Sequence, residues 1–382
     1  MMGGVTTPPT PPLAPARAQG DTSEPSPLAE PPAPAPTRRS AMMSATGLAT
    51  SILIAVLTVL PSPFAIGGPG PTYDTLGVDE SGKPLVEIEG APTFPASGEL
   101  RLTTVSVSRG GSNIFTMGSV LAGYFSPHKY VVPEEFVFGD PDQEAEYDQQ
   151  AQQDWITSQE SATVSALEEL GMPVPASIRI AGVQDDSNAV GLLEEDDVLA
   201  AIDGTPIATY KEMSEAVKAH EPGDTIDVTV TRDGETVTES FKILDDGDGA
   251  PVMGVWIDPT FNIPIDVTVQ IDRVGGPSAG TMFSLAIMDK LTEKDELTGQ
   301  NVAGTGTIDA DGDVGPIGGI QFKMEGAREA GAEYFLAPIE NCDDVRGHVP
   351  QGLSVFSVDN LDDAYAAVES IGKGETSGLP IC

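Results

Sequence analysis

An uncharged, apolar segment at residues 41–60 places the strongest constraint on how this chain of 382 residues can fold. At its centre, residues 52–57 are a run of Ile, Leu, Ala and Val. A helix that crosses a bilayer needs about 20 predominantly apolar residues. Pro61 and Pro63 end the helical pattern on the far side. We therefore predict one transmembrane helix within residues 41–66.

Two other interpretations of this segment are open. A cleaved signal peptide would need small residues at its cleavage site, but Pro63, Phe64 and Ala65 match that pattern poorly, and a leader of forty residues is long. A buried core helix would need packing partners, which the flanking Pro-rich segments do not offer. A retained anchor is the interpretation that we carry forward.

The residues before the segment set the predicted orientation. Residues 1–40 are rich in Pro, Ala, Ser and Thr, which predicts a disordered tail. Arg38 and Arg39 directly precede the apolar stretch, and no basic residue follows it closely. Because basic residues stay on the cytoplasmic side, we expect a single-pass protein of the cell membrane, with a cytoplasmic N-terminus and an extracytoplasmic remainder.

The acidic balance of the chain lies almost wholly in that remainder. The formal net charge is −40, and residues beyond 40 carry 16 basic and 56 acidic side chains. Such a surface repels phosphate backbones and argues against nucleic-acid binding. The sequence also lacks an HExxH motif and a Cys/His cluster, so we expect neither a metal nor a cofactor.

The order of sequence patterns beyond the anchor indicates a layered fold. Residues 67–95 are rich in Gly and Pro and are predicted to be an irregular spacer. Glu99–Ser108 alternates as a β-strand does, and a helix is expected at residues 154–170. From residue 265 onward, predicted strands and helices alternate. This order is typical of an α/β or α+β fold.

A separate β-rich unit is predicted between residues 173 and 244. Its strands at 225–232 and 236–243 are joined by an Asp233-Gly234 turn, and a helix precedes them at 210–220. Residues 189–207 contain Gly191-Leu192, two acidic residues, Asp197-Val198-Leu199 and Ile202-Asp203-Gly204. This pattern resembles a PDZ domain of the bacterial type.

The PDZ resemblance implies a groove in which an extended peptide adds to a sheet edge beside a helix. Core packing explains the apolar side chains of the unit equally well. The candidate groove residues are Ile178, Ile180, Met213 and Val217.

Ser278 lies in the most reactive setting that the sequence offers. It stands in the run Gly276-Pro277-Ser278-Ala279-Gly280, a tight turn that opens a helix. Free backbone N–H groups at a helix start can donate to a developing oxyanion. A structural corner with no chemistry is the alternative for this turn taken alone.

A serine hydroxyl needs a base, and Lys323 is the candidate. It follows Gly318-Gly319 and stands 45 residues beyond Ser278, in an otherwise apolar corner. A lysine acts as a base only when it is neutral, which burial favours by lowering its pKa. None of the three histidines lies in a motif. A solvated surface lysine is the alternative.

Both motifs together resemble the proteolytic domain of Lon-type proteases. The matching blocks are residues 275–280 and 306–331, the second with Gly315-Pro316-Ile317-Gly318-Gly319 ahead of Lys323. The resemblance implies a catalytic dyad, with Ser278 as the nucleophile and Lys323 as the general base. It places Thr305 where the family holds the lysine with a threonine. Gly276 and Ala279, which flank the serine, are assigned supporting roles.

The two resemblances imply an α+β fold in which a PDZ domain is inserted into a Lon-type proteolytic domain. One transmembrane helix and a disordered tail precede it. Gly275 stands where many relatives have Asp, and no Gly-x-x-x-x-Gly-Lys-Ser/Thr motif for ATP is present.

The predicted domains are residues 1–40 (tail), 41–66 (helix), 67–95 (spacer), 96–171 (first protease part), 172–246 (PDZ), 250–372 (catalytic part) and 373–382 (C-terminal tail).

These features predict an ATP-independent, membrane-anchored serine endopeptidase. Expected substrates are exported or membrane proteins and peptides, and the resemblance implies a homo-oligomeric ring. One alternative is a tethered PDZ scaffold with a silent protease domain, and another is a serine–lysine amidase.

Cys342 and Cys382 could pair outside the cytosol, or stay as two free thiols.

Overall fold

The computed structural model describes residues 37–60, 62–79, 81–108, 116–139, 144–271 and 274–382. Residues 1–36 of the predicted tail lie outside this range. The chain divides into unit 1, Met1–Ile54, and unit 2, Ala55–Cys382.

The helices of the described residues are α1 (Arg38–Val59), α2 (Met117–Tyr124), α3 (Glu135–Phe138), α4 (Glu144–Glu169), α5 (Tyr210–Lys218), α6 (Gly280–Leu291), α7 (Ile320–Glu329), α8 (Cys342–Val345) and α9 (Leu361–Lys373). The strands are β1 (Phe64–Asp74), β2 (Val86–Glu89), β3 (Glu99–Ser108), β4 (Tyr130–Pro133), β5 (Ala176–Val183), β6 (Val198–Ile202), β7 (Thr205–Pro206), β8 (Thr225–Arg232), β9 (Glu235–Lys242), β10 (Leu244–Asp245), β11 (Pro251–Val252), β12 (Val255–Phe261), β13 (Asp266–Val269), β14 (Asn301–Gly304), β15 (Thr307–Ile308), β16 (Val314–Gly315), β17 (Tyr334–Pro338) and β18 (Ser354–Val358).

Helix α1 is long and apolar enough to cross a membrane, and none of its 22 residues is buried. An apolar helix without buried residues has no core of its own to pack into, which is consistent with a membrane anchor. It ends at Val59, and β1 already begins at Phe64. The helix is therefore shorter at its C-terminal end than the predicted span to residue 66.

A six-stranded mixed sheet forms the frame of unit 2. Its strand order is β18-β17-β14-β3-β1-β4. The first four of these strands run parallel, whereas β1 is antiparallel to both β3 and β4. Parallel strands are usually covered on both faces and therefore carry nearly continuous apolar runs. β17 has such a run, with four buried residues out of five.

Each face of this sheet has its own hydrophobic core. Along β17, Leu336 packs with α6 and α9 on one side, whereas Phe335 and Ala337 pack towards α7 and α8 on the other. This alternation is the two-residue period of a β-strand. Helix α7 lies against the face of β1 and β3, where Gly326 comes close to the carbonyl oxygen of Gly70.

A second, β-rich unit lies between β3 and β14 in the chain, although these two strands are neighbours in the sheet. We call it the inserted unit. Its strand order is β12-β5-β6-β8-β9, it has its own hydrophobic core, and α5 covers it. The predicted α+β arrangement with an inserted β-rich unit is confirmed. Strand β12 pairs with β5, although it lies beyond residue 246; the domain boundaries themselves stay predictions.

The predicted irregular spacer at residues 67–95 is wrong, because much of it belongs to sheets. β1 pairs with β3 and β4, and β2 pairs with β13. Because β1 is rich in Gly and Pro, it lacks the pattern of alternating side chains by which a strand is predicted. Its glycines are needed for close approach: an added Cβ at Gly70 would lie 2.3 Å from Thr104 Oγ1 and 2.8 Å from the Thr104 carbonyl oxygen. Helix α4 also begins ten residues before the predicted start at 154.

We expect Gly70→Ala to lower the free energy of unfolding by about 2 kcal/mol or more, since the new methyl group would displace the backbone of β3. Chemical denaturation of the purified chain measures the change. Gly378→Ala is the matched control, because nothing lies within 4 Å of a Cβ there and its φ is ordinary. Equal stabilities for the two variants would contradict the close packing of β1 on β3.

Candidate active site

Ser278 is presented by a turn that helix α4 holds through two hydrogen bonds. The Gly276 N–H donates to the carbonyl oxygen of Ala151, and Ser158 Oγ donates to that of Pro277 at 3.1 Å. Gly276 has a φ of +81°, a conformation that favours glycine. Both acceptor and donor on α4 fix the turn directly ahead of α6, and Ser278 remains half-buried.

Lys323 stands in the first full turn of α7. Gly319 precedes the helix with a φ of +71°, and its carbonyl oxygen accepts the backbone N–H of Lys323. Because α7 packs on the glycine-rich β1, the lysine side chain points into the protein, and the residue is only 3% exposed. A lysine is very rarely this buried unless it has a specific partner.

The lysine amine joins two hydroxyl groups. Lys323 Nζ donates to Ser278 Oγ at 2.8 Å and to Thr305 Oγ1 at 2.9 Å. Thr305 is fully buried, and its own hydroxyl donates to the carbonyl oxygen of Ser278 at 2.9 Å. The Gly306 N–H donates to that same carbonyl at 3.0 Å. Three residues from separate elements thus form one hydrogen-bonded cluster.

Burial lowers the pKa of Lys323 from 10.5 to about 8. The cause is desolvation, because taking the ammonium out of water disfavours its charged form. The amine is therefore neutral in a large fraction of molecules at mildly alkaline pH. A neutral Nζ carries a lone pair and can accept the proton of the serine hydroxyl.

A cleft of about 670 Å³ opens at Ser278. One wall is β3, from Thr103 to Val107, and the other contains Gly275 and Ala279. β14 ends opposite Leu102, so beyond that residue this edge of β3 has no paired strand within the described ranges. The backbone N–H groups of Ser278 and Ala279 also have no hydrogen-bond acceptor within the described ranges. None of the three histidines lines the cleft.

The groove of the inserted unit differs from the prediction. Ile178 and Ile180 are 1% and 0% exposed, because β5 is a central strand whose side chains fill the core. They are core residues, and their assignment to the groove is corrected. Met213 and Val217 do line a groove, which runs between α5 and β12. The run Met253-Gly254-Val255, which leads into β12 at Val255, was the sequence signal that the prediction missed.

Cys342 and Cys382 form a disulfide bond that joins α8 to the C-terminal residue of the chain. Their Cα atoms are 4.8 Å apart. The bond lies away from the cleft at Ser278, and Ile381 beside it forms a β-bridge with Phe356 on the edge strand β18. The pair therefore fastens the end of the chain to the sheet.

Family models match both halves of this architecture. The model of the Lon protease (S16) C-terminal proteolytic domain matches residues 262–368, and the model of the PDZ domain matches residues 156–243. The chain therefore contains a Lon-type proteolytic domain and, between strands of the same sheet, a PDZ domain.

Curated relatives agree with the first of these assignments. Lon protease 1 of Sorangium cellulosum is 37% identical over 94 residues, which are 24% of this chain and 11% of that protein. The Archaeal Lon protease of Methanothermobacter thermautotrophicus is 34% identical over 119 residues, or 31% of this chain and 18% of that protein. The chain thus spans less than a fifth of the length of these two relatives.

Among solved structures, the PDZ domain of an SdrC-like protein from Listeria monocytogenes is similar over 21% of this chain and 85% of that chain. The sequence identity is 22% and the TM-score is 0.20. The PDZ assignment rests on the family model.

The depressed pKa of Lys323 has a measurable effect on stability. The unfolded chain binds the proton at pH values where the folded chain has released it, so the lysine's contribution to stability rises with pH. We expect the free energy of unfolding of the wild type to rise relative to Lys323→Met by roughly 2 to 3 kcal/mol between about pH 8 and pH 10.5. Below about pH 8 the difference should be constant.

Urea denaturation at several pH values measures this difference. Lys373→Met is the control, since Lys373 lies exposed in the last turn of α9. A pH-independent difference for Lys323→Met would show that the amine has an ordinary pKa in the folded chain.

Proposed function

We propose that this protein is a membrane-anchored, ATP-independent serine endopeptidase in which Ser278 and Lys323 form the catalytic dyad. The observation that carries the proposal is the 2.8 Å contact between Lys323 Nζ and Ser278 Oγ, made by an amine that is almost completely buried. Burial supplies the neutral base that a serine nucleophile needs. The match to a Lon-type proteolytic domain also supports a proteolytic role for this pair.

In the proposed reaction, Lys323 Nζ takes the proton of Ser278 Oγ while this oxygen bonds to the carbonyl carbon of the scissile peptide bond. The carbonyl oxygen becomes an oxyanion, for which the free N–H groups of Ser278 and Ala279 are suitable donors. As the C–N bond breaks, the ammonium of Lys323 returns its proton to the leaving nitrogen. Water then hydrolyses the ester by the same proton path.

Thr305 positions the base. Its hydroxyl accepts one N–H of Lys323 and donates to the carbonyl oxygen of Ser278, so it fixes the amine relative to the nucleophile's own backbone. Holding two reacting groups in one geometry removes much of the entropic barrier to their reaction. Gly276 and Ala279 have supporting roles because they shape the turn on both sides of the serine.

The unpaired edge of β3 is the proposed path for substrate. An extended chain can add to such an edge through backbone hydrogen bonds, and this edge leads along the cleft to Ser278. Only an unfolded or flexible segment can adopt that form. Because the sequence carries no ATP-binding motif, we propose flexible exported or membrane proteins and peptides as substrates.

The remaining parts of the proposal concern location and partners. Helix α1 would cross the cell membrane once, with the N-terminus in the cytoplasm and the proteolytic domain outside. The PDZ domain would bind a peptide segment between α5 and β12. By its likeness to Lon-type domains, we also propose assembly into a homo-oligomeric ring, and we propose no nucleic-acid partner.

The second candidate is a tethered PDZ scaffold with a silent protease domain. The groove beside an intact sheet edge favours the scaffold, since a peptide can bind there without any catalytic step. The buried Lys323 argues against the scaffold, because burying an amine destabilises the fold, and without a catalytic role nothing would offset that cost. A fluorophosphonate probe, which reacts with activated serine hydroxyls, separates the two candidates.

We expect the probe to label the wild type and to leave Ser278→Ala and Lys323→Ala unlabelled, since one lacks the nucleophile and the other its base. Labelling is read by gel fluorescence of the full chain in detergent. Ser81→Ala and Lys373→Ala, both at exposed positions, should label normally. An unlabelled wild type under alkaline conditions would support the scaffold.

Proteolysis should depend on pH as a neutral base requires. The active form is the unprotonated amine, so kcat/KM for a fluorogenic peptide should rise through about pH 8 and stay high in alkaline buffer. The measurement is a pH profile of the full chain, with probe labelling rates as a second readout. An optimum in clearly acidic buffer would remove Lys323 as the base.

A further inference from the structure

The groove of the PDZ domain is built from two domains. Its floor and sides are the apolar residues Met213 and Val217 of α5 and Val255 and Ile257 of β12. β12 is the edge strand of its sheet, paired on one side with β5. The far rim, however, comes from the protease domain, where residues 309–313 join β15 to β16.

This protease hairpin is attached to α5 at the groove. Ser214 Oγ donates to Asp311 Oδ2 at 2.6 Å. Lys218 Nζ contacts the carboxylates of both Asp311 and Asp313, the latter at 2.9 Å. The contacts bring an acidic segment of one domain over the groove of the other.

Carboxylates surround the rim of the groove. Among the described residues that line it, Lys218 is the one cation, and it is already paired with the hairpin. The other four carboxylates have no cationic partner within the described ranges. The acidic lining residues are Asp186, Asp245, Asp246, Asp309, Asp311 and Asp313.

The charge of this rim is fixed by local structure. Asp246 is fully exposed at the groove, and backbone N–H groups of Asp248 and Ala250 lower the pKa of its carboxyl. It is therefore ionised at any physiological pH. A negative group that enters the groove meets this charge at short range, whereas a positive group is attracted.

We propose that the groove binds an extended internal peptide segment that carries a Lys or Arg side chain, and that it disfavours a free C-terminal carboxylate. Apolar side chains of the segment fill the space between α5 and β12, a volume of about 500 Å³. The basic side chain lies at the rim formed by Asp186, Asp245 and Asp246. The inference rests on the proposed peptide-binding function and adds the chemical class of the peptide.

The test uses the full chain carrying Ser278→Ala, so that no probe is cleaved. The probes are fluorescein-labelled nonapeptides of sequence Gly-Val-Thr-Val-Xaa-Val-Thr-Val-Gly with an amidated C-terminus, in which Xaa is Lys, Gln or Glu. Binding is read by fluorescence anisotropy in the presence of EDTA. We expect the Lys peptide to bind roughly tenfold more tightly than the Glu peptide at low salt, and the ratio to shrink at high salt.

Charge variants of the rim locate the effect. Asp245→Asn combined with Asp246→Asn should remove most of the preference for Lys, whereas Asp233→Asn, at the exposed turn between β8 and β9, should keep it. The Lys peptide with a free C-terminal carboxylate should bind more weakly than its amide. Equal binding of the Lys and Glu peptides, or tighter binding of the free acid, would overturn the inference.

Enzymatic activity gives an independent readout. Should wild-type protein show Ser278-dependent cleavage while the peptide preference is absent, the basic-peptide inference fails alone. Should the preference be present while probe labelling of Ser278 is absent, the endopeptidase proposal fails and the binding site remains. A Lys preference that persists in the double variant of the rim would place the peptide elsewhere, such as the cleft at Ser278, and would reject the inference.

Discussion

The burial of one amine is the interaction on which the rest of this site depends. Lys323 Nζ lies between the hydroxyls of Ser278 and Thr305 and is shielded from water on α7. Desolvation lowers its pKa to about 8, and this shift would allow the amine to act as the proposed base. Without it the serine hydroxyl would have no acceptor for its proton, since the cleft contains no histidine among the described residues.

That burial is itself a result of backbone packing. Helix α7 can approach the sheet because Gly326 faces Gly70 on β1, and β1 can approach β3 because Gly70 has no side chain where Thr104 of β3 lies. Interiors are packed closely enough that one added methyl group shifts neighbouring elements. The glycine-rich strand β1 therefore helps to set the position of the lysine.

The inserted PDZ domain is adjacent to the segment that holds Ser278. The acidic hairpin at residues 309–313 lines the PDZ groove, and the strand that enters this hairpin begins one residue after Gly306, which donates to the carbonyl of Ser278. A peptide that contacts the hairpin would therefore contact a segment directly joined to the turn of Ser278. The hairpin at residues 309–313 therefore links the PDZ groove to the segment that holds Ser278.

The sequence by itself determined the apolar helix α1, the α+β class and Ser278 and Lys323 as candidate site residues, because hydrophobic length, strand period and turn residues are local properties. It did not determine β1, which lacks an alternating pattern, nor the groove, where Ile178 and Ile180 are core residues. Only the tertiary structure decided the distance from Nζ to Oγ, the burial of the amine and the joint construction of the PDZ groove. These depend on contacts between residues far apart in the chain, which no local pattern encodes.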